Sequence, residues 1–230
     1  MQKISSGSII LDQFLAGGLD QDIITTIYGP SGSGKTNLCI LSAVQVAKRN
    51  KKVIFIDTEG GICVERILQI SQDQSVLNNF IFLRPVNFEE QKETFDKLKD
   101  FINESIGMIV VDSISMLYRL ELSKSQGVFE TNSALGKMMG QLVEIARKKQ
   151  IPIIITNQVY SDFDKRDQVK MVGGDLLKYS SKCLLELRKD EEIRSIILKK
   201  HRHLPEGNKI NFKIIETGIE KAVEIEKNQY

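Results

Sequence analysis

Tryptophan is absent from this 230-residue chain, and proline (4) and cysteine (3) are scarce. Cys39, Cys63 and Cys183 stand at unrelated spacings, so they make neither a disulfide framework nor a CxxC metal pair. That usage fits a reducing compartment, the cytoplasm. Cys39 and Cys183 fall in apolar runs and read as small core residues. The N-terminus lacks the charged start and apolar stretch of a signal peptide, and no apolar run approaches the roughly 20 residues that span a bilayer. Charge of one sign is also missing: 32 Lys and Arg against 30 Asp and Glu leave a formal net charge of +2. This excludes holding nucleic acid by bulk charge, so any such binding must come from local patches or from assembly of several copies. Without a Pro-, Gly- or Ser-rich linker or an internal repeat, one domain over 1–230 is the economical reading.

What is present is a composition (41% hydrophobic, 27% charged) able to build one α/β core. From Ile23 to Ile155 strands alternate with helices. Ile23–Tyr28 is β-rich, and residues 35–48 carry Leu38, Leu41 and Val44 at helical spacing. Val53–Ile56, Phe80–Leu83, Met108–Val111 and Ile151–Thr156 are short apolar runs, the pattern of strands buried on both faces of a parallel sheet. Between them, helices are expected over 63–71, 88–104 and 130–149, the second with Glu93 and Lys97 paired on its wet face. After Gly174 the pattern turns to strands at Leu184–Leu187, Ile193–Leu198 and Lys209–Ile215. The expected fold is therefore a mainly parallel sheet flanked by helices, with antiparallel strands added toward the C-terminus.

Gly29-Pro30-Ser31-Gly32-Ser33-Gly34-Lys35-Thr36 fulfils GxxxxGK[ST], a pattern that arises by accident in about one chain in a hundred of this length. Here a β-rich segment precedes it and a helix follows, which is the context the chemistry needs. A triphosphate is wrapped by backbone N–H groups only where side chains do not intrude, and the helix N-terminus adds its positive end. Lys35 then reaches the phosphates, and the Thr36 hydroxyl ligates magnesium. Asp112, at the end of an apolar strand, is the expected second metal ligand. Glu59, just past the strand Val53–Ile56, is the candidate general base, with Asp57 beside it as a structural residue. Asn157-Gln158 ends a further strand and could present an amide to the γ-phosphate. His201 and His203 alternate on a basic turn, but no third ligand is in evidence, so they read as turn residues rather than a metal site.

Together these segments resemble the RecA-type strand-exchange ATPases, specifically the archaeal RadA-like branch and its short paralogues. The likeness rests on Ile4-Ser5-Ser6-Gly7-Ser8, Leu11-Asp12 and Leu15-Ala16-Gly17-Gly18-Leu19. It continues through the loop at 29–36, Ile56-Asp57-Thr58-Glu59, Val110-Val111-Asp112-Ser113 and Thr156-Asn157-Gln158-Val159. Val159–Asp162, Val172-Gly173-Gly174 and Lys200–Gly207 look like the short paralogues in particular. The resemblance implies a RecA-like P-loop ATPase core that binds ATP and Mg2+, with Glu59 activating water and Gln158 sensing the γ-phosphate. It implies mobile DNA-facing segments near Tyr118–Thr131 and Tyr160–Val172, with Arg119, Tyr160, Phe163, Lys165, Arg166 and Lys170 as contacts. Lys200 or Arg202 would cover a neighbouring subunit's nucleotide. The implied partners are single-stranded DNA, a RadA-type recombinase and a Holliday junction resolvase, with homo-oligomers open. The likeness starts at the core, without the N-terminal domain and linker of a full RadA-like recombinase, so filaments are not the first expectation. Segment 160–172 is formally neutral and offers little phosphate attraction, leaving base stacking by Tyr160 and Phe163. The leading expectation is an accessory recombination ATPase with slow hydrolysis; the others are an autonomous recombinase and a KaiC-like regulatory ATPase.

Overall fold

The apolar runs of the sequence become the parallel centre of a ten-stranded sheet. The computed structural model describes residues 2–124, 127–161, 169–190 and 193–222. In chain order, β1 (Lys3–Ile4) and β2 (Leu19–Asp20) form a small antiparallel pair around α1 (Ile9–Phe14). Then follow β3 (Ile24–Gly29), α2 (Lys35–Ala47), β4 (Lys52–Asp57) and α3 (Val64–Ser71). A 3-10 turn at Gln74–Asn79 leads to β5 (Phe80–Leu83), α4 (Phe88–Phe101) and β6 (Ile106–Asp112). Next come α5 (Met116–Lys124), α6 (Val128–Lys149), β7 (Ile153–Ser161), β8 (Val169–Met171) and α7 (Gly174–Ser180). The chain closes with β9 (Cys183–Asp190), β10 (Ile193–Lys200), β11 (Lys209–Ile215) and β12 (Gly218–Lys221).

Across the sheet the order is β12-β11-β10-β9-β3-β7-β6-β4-β5, with β8 attached to β7. The strands from β9 to β5 run parallel, while β10, β11 and β12 alternate as antiparallel neighbours. This is the mixed sheet expected from the sequence. Its register matters for chemistry: Gly29 lies opposite Gln158, and Asp57 opposite Asp112. The carboxyl ends of β3, β7, β6 and β4 therefore stand side by side, although their residues are far apart in sequence.

Two cores explain why Val53–Ile56 of β4 and Met108–Val111 of β6 are apolar throughout. On β4, Val53 and Phe55 pack with Leu38, Leu41 and Val44 of α2, while Ile54 and Ile56 pack with Phe95, Leu98, Leu135 and Leu142 of α4 and α6. Strand side chains alternate faces, so helices on both sides demand hydrophobic residues at every position. Burying a ring such as Phe55 or Phe95 stabilises the fold by about 1.5–3 kcal/mol relative to exposure. Helix α4 starts cleanly because Asn87 accepts from the Glu90 N–H (2.8 Å) and Glu90 accepts from the Val86 N–H (3.0 Å). Glu93 and Lys97 form the expected pair at 3.6 Å. No helix among the described residues is long and apolar enough to cross a membrane.

Two expectations need correction. Residues 174–180 form helix α7 rather than leading straight into strands. Most of Tyr118–Thr131 is helix, ending α5 and starting α6, with 125–126 outside the described residues. Tyr118 itself is buried, edge-on to Phe88 at 6.2 Å, and its hydroxyl donates to Asn132 (2.5 Å).

The serine-rich start of the chain has a structural explanation. Asp12 accepts from Ser5 Oγ (2.5 Å), Ser6 N–H (2.7 Å) and Ser6 Oγ (2.6 Å). Ser42 of α2 donates to the Ser6 carbonyl (3.2 Å), which docks this turn on the helix that follows the phosphate loop. Asp12→Ala removes three charge-assisted acceptor contacts at a half-buried site. We expect a loss of about 2 kcal/mol in urea unfolding, with Asp12→Asn restoring about half. A loss below about 0.5 kcal/mol would show the turn to be incidental.

Candidate functional site

The phosphate loop is built where β3 meets α2. A side chain at Gly29 would bring its Cβ to 2.4 Å from the Leu187 carbonyl oxygen, so only glycine fits. Gly34 caps α2 at φ +103°, a left-handed conformation that glycine adopts freely. Ser33 is fully buried, and its hydroxyl has no hydrogen-bond partner among the described residues. The Lys35 ammonium donates to the carbonyls of Gly29 (3.0 Å) and Pro30 (2.9 Å). Burial lowers the Lys35 pKa, and Glu59 and Asp112 pull it back up.

Thr36 Oγ1 donates to Asp112 Oδ2 (2.6 Å), and Thr156 Oγ1 donates to Asp112 Oδ1. Asp112 is 1% exposed. Burial pushes its carboxyl above the usual range, against the two hydroxyl donors, while Glu59 and Asp57 reinforce the rise. A buried carboxylate beside a hydroxyl oxygen is a donor set for a hard divalent cation.

Glu59 is held by its neighbours in the loop. Asp57 accepts from the N–H groups of Glu59 (3.2 Å), Gly60 (2.8 Å), Gly61 (3.2 Å) and Ile62 (3.3 Å), which makes it a brace for the loop. Thr58 ties the end of β4 to the end of β6: its N–H donates to the Asp112 carbonyl (2.9 Å), and its hydroxyl donates to the Ser113 carbonyl (2.7 Å). From this base the Glu59 carboxylate accepts from Gln158 Nε2 at 3.0 Å. Asn157 points the other way, accepting from Ser115 (2.5 Å) and donating to the Val172 carbonyl (2.7 Å). Of the Asn157-Gln158 pair, only Gln158 faces the site.

The structure thus brings Gly29, Pro30, Ser31, Gly32, Ser33, Gly34, Lys35 and Thr36 together with Asp112, Glu59 and Gln158. Lys200 and Arg202 lie elsewhere, at or just past the far end of β10. Lys200 donates to the Lys178 carbonyl (2.6 Å), and Arg202 grips Asp22 at 3.0 and 2.5 Å. Within one chain neither belongs to the nucleotide site. Arg119 is exposed on α5. Tyr160 and Lys170 are backbone partners in the β7–β8 register, while Phe163, Lys165 and Arg166 lie outside the described residues. Sequence reasoning missed two basic neighbours of the loop: Arg194 Nε donates to the Gly32 carbonyl (3.4 Å), and Lys189 Nζ would be 3.6 Å from a Cβ at Gly32. It also missed Thr156, whose one signal was a hydroxyl following three isoleucines.

A family model described as Rad51 matches residues 1–222. The chain belongs to the Rad51 family. Proteins of this Rad51 and RecA-like class generally bind ATP with Mg2+. Similar proteins include the DNA repair and recombination protein RadB of Methanococcus maripaludis strain C7, 42% identical over 92% of this chain and 97% of its own length. The protein of the same name from Methanobrevibacter smithii is 42% identical over 94% of this chain and 95% of its own. Among solved structures, a RadB recombinase covers 96% of this Rad51-family chain and all of its own, at 35% identity and a TM-score of 0.81. The resemblance noted from the glycine and acidic motifs therefore extends over almost the whole fold.

Proposed function

We propose that this Rad51-family chain is an ATP- and DNA-binding accessory protein of homologous recombination that assists a RadA-type recombinase, with ATP acting chiefly as a switch. The observation that carries the reading is the hydrogen bond from Gln158 to Glu59. It joins the candidate base to the end of β7, whose last residues lead directly into the proposed DNA segment. A side chain that feels the γ-phosphate can thereby shift the backbone that meets DNA.

In this reading Lys35 balances the phosphate charge, and the backbone of 29–34 excludes side chains from it. Thr36 and Asp112 would hold Mg2+, which when bound neutralises phosphate charge. Glu59 accepts the proton of the attacking water, and Gln158 holds Glu59 in place until the site is filled. Because Gln158 already engages the base, turnover is slow without a signal at β7. The relatives' printed names support a role in DNA repair and recombination.

The test is fluorescence anisotropy of single-stranded DNA binding across a salt series, with ATP and Mg2+ and without nucleotide. We expect ATP-dependent affinity whose logarithm falls with log salt by about 0.7 per phosphate contact. Binding absent at all salt concentrations would sink the DNA assignment and favour a regulator of a protein partner. Affinity indifferent to ATP would sink the switch.

A further inference from the structure

At the end of the large sheet opposite the phosphate loop, Asp20 ends β2 and turns inward. Its side chain is completely buried, and neither carboxylate oxygen has a hydrogen-bond partner among the described residues. Three basic groups surround it at long range: Arg202 Nε at 3.4 Å, His201 Nε2 at 3.5 Å and Lys3 Nζ at 3.8 Å. Two of these have shorter commitments elsewhere. Lys3 donates to the Leu15 carbonyl (2.5 Å), and the terminal nitrogens of Arg202 hold Asp22. A carboxylate taken out of water without one short donor is unfavourable, and that points to a partner of another kind.

The His201 imidazole is almost as deeply placed, with its side chain 2% exposed. His203 meets it edge-on, ring centroids 4.5 Å apart and planes at 82°. One ligand atom from each of Asp20, His201 and His203 lies within 4.8 Å of the others. Ligand atoms around one tetrahedral zinc stand about 3.3 Å apart, so a small side-chain adjustment closes the set.

We propose that Asp20, His201 and His203 form a site for a divalent transition-metal ion, with Zn2+ the best match. Two imidazoles and one carboxylate suit zinc rather than Mg2+ or Ca2+, which prefer all-oxygen shells. Exposed His203 gives the ion a way in and leaves a fourth position for water. Coordination through His201 Nε2 requires the ring to release its long contact (3.4 Å) from the His203 N–H to Nδ1. Lys3 and Arg202 balance Asp20 and Asp22, so the ion adds charge to a neutral cluster, and its affinity is modest. The ion would tie β2 to the connection between β10 and β11, two parts of the chain that sequence alone does not bring together. The third ligand that the sequence did not reveal comes from the opposite end of the chain.

The experiment is titration of the chelator-treated full chain with Zn2+ against a chromophoric competitor, and with Co2+ followed by visible absorption. His201 and His203 are the only histidines, so a histidine-ligated cobalt spectrum has one assignment. Cys63 lies exposed with its thiol 2.6 Å from Glu65, and Cys63→Ser is the control against thiol binding. We expect one equivalent bound by the parent and by Cys63→Ser, with a Zn2+-dependent rise in melting temperature. His203→Ala, an exposed position that leaves the fold intact, should weaken binding by more than about tenfold and abolish the rise. Asp20→Asn, if it folds, should do the same. No bound equivalent in the parent, equal binding by His203→Ala, or loss of binding in Cys63→Ser would each overturn the proposal.

Discussion

Replacing Glu59 by glutamine lowers ATP turnover by about 100- to 10,000-fold while ATP remains bound. The change keeps the shape of the side chain and removes only its capacity to take a proton. Its surroundings favour a clean result, because the loop is held by the Asp57 carboxylate and by Thr58 rather than by Glu59 itself. The contact with Gln158 survives as an amide–amide hydrogen bond. The measurement is steady-state hydrolysis with Mg2+, paired with equilibrium binding of ATP. An equal fall in turnover and binding would mean that Glu59 holds the nucleotide rather than the water. A fall of less than about tenfold would move the base elsewhere. Asp57 is not the obvious substitute, since four backbone N–H groups already occupy its oxygens.

Lys35→Ala should weaken ATP binding by about 100-fold, equivalent to about 2.7 kcal/mol. The ammonium's two protein partners are carbonyls of its own loop, so its removal leaves the sheet and both cores intact. Isothermal titration with MgATP, alongside a melting curve, separates lost binding from lost fold. Near-parent affinity in a folded variant would refute the phosphate-loop assignment. The same variant also bears on DNA: if its DNA affinity still responds to ATP, the switch operates through some other site.

Much of the central sheet was readable because burial on both faces leaves strands with no polar positions, and Val53–Ile56 and Met108–Val111 had none. The phosphate loop was readable because its geometry tolerates few residue types. Glu59 and Asp112 stood out because each comes at or just past the end of an apolar strand, whereas Gln158 drew its weight from the family resemblance. What escaped depended on contacts made far along the chain. Helix α7 is short, and Tyr118 took its burial from Phe88 on another helix. The helix expected over 88–104 stops at Phe101, which is 38% exposed. Arg202, which the resemblance directs toward a neighbouring subunit, is held by Asp22 within its own chain. Arg194 and Lys189 reach the loop only because the β9–β10 hairpin folds back over Gly32, and no local pattern announces that.

The register that sets Gly29 opposite Gln158 and Asp57 opposite Asp112 has a consequence for how the protein matures in the cell. A slip of one residue in any of these pairings would send Glu59, Asp112 or Gln158 to the wrong side of the sheet. The site is drawn from residues spread over 29–158, so a partly assembled intermediate would have the backbone of the loop but no aligned carboxylates. Under the proposed function, nucleotide would act as an inspector of finished molecules: it would bind only chains whose strands have all found their neighbours, and that binding would draw newly made protein toward the finished state.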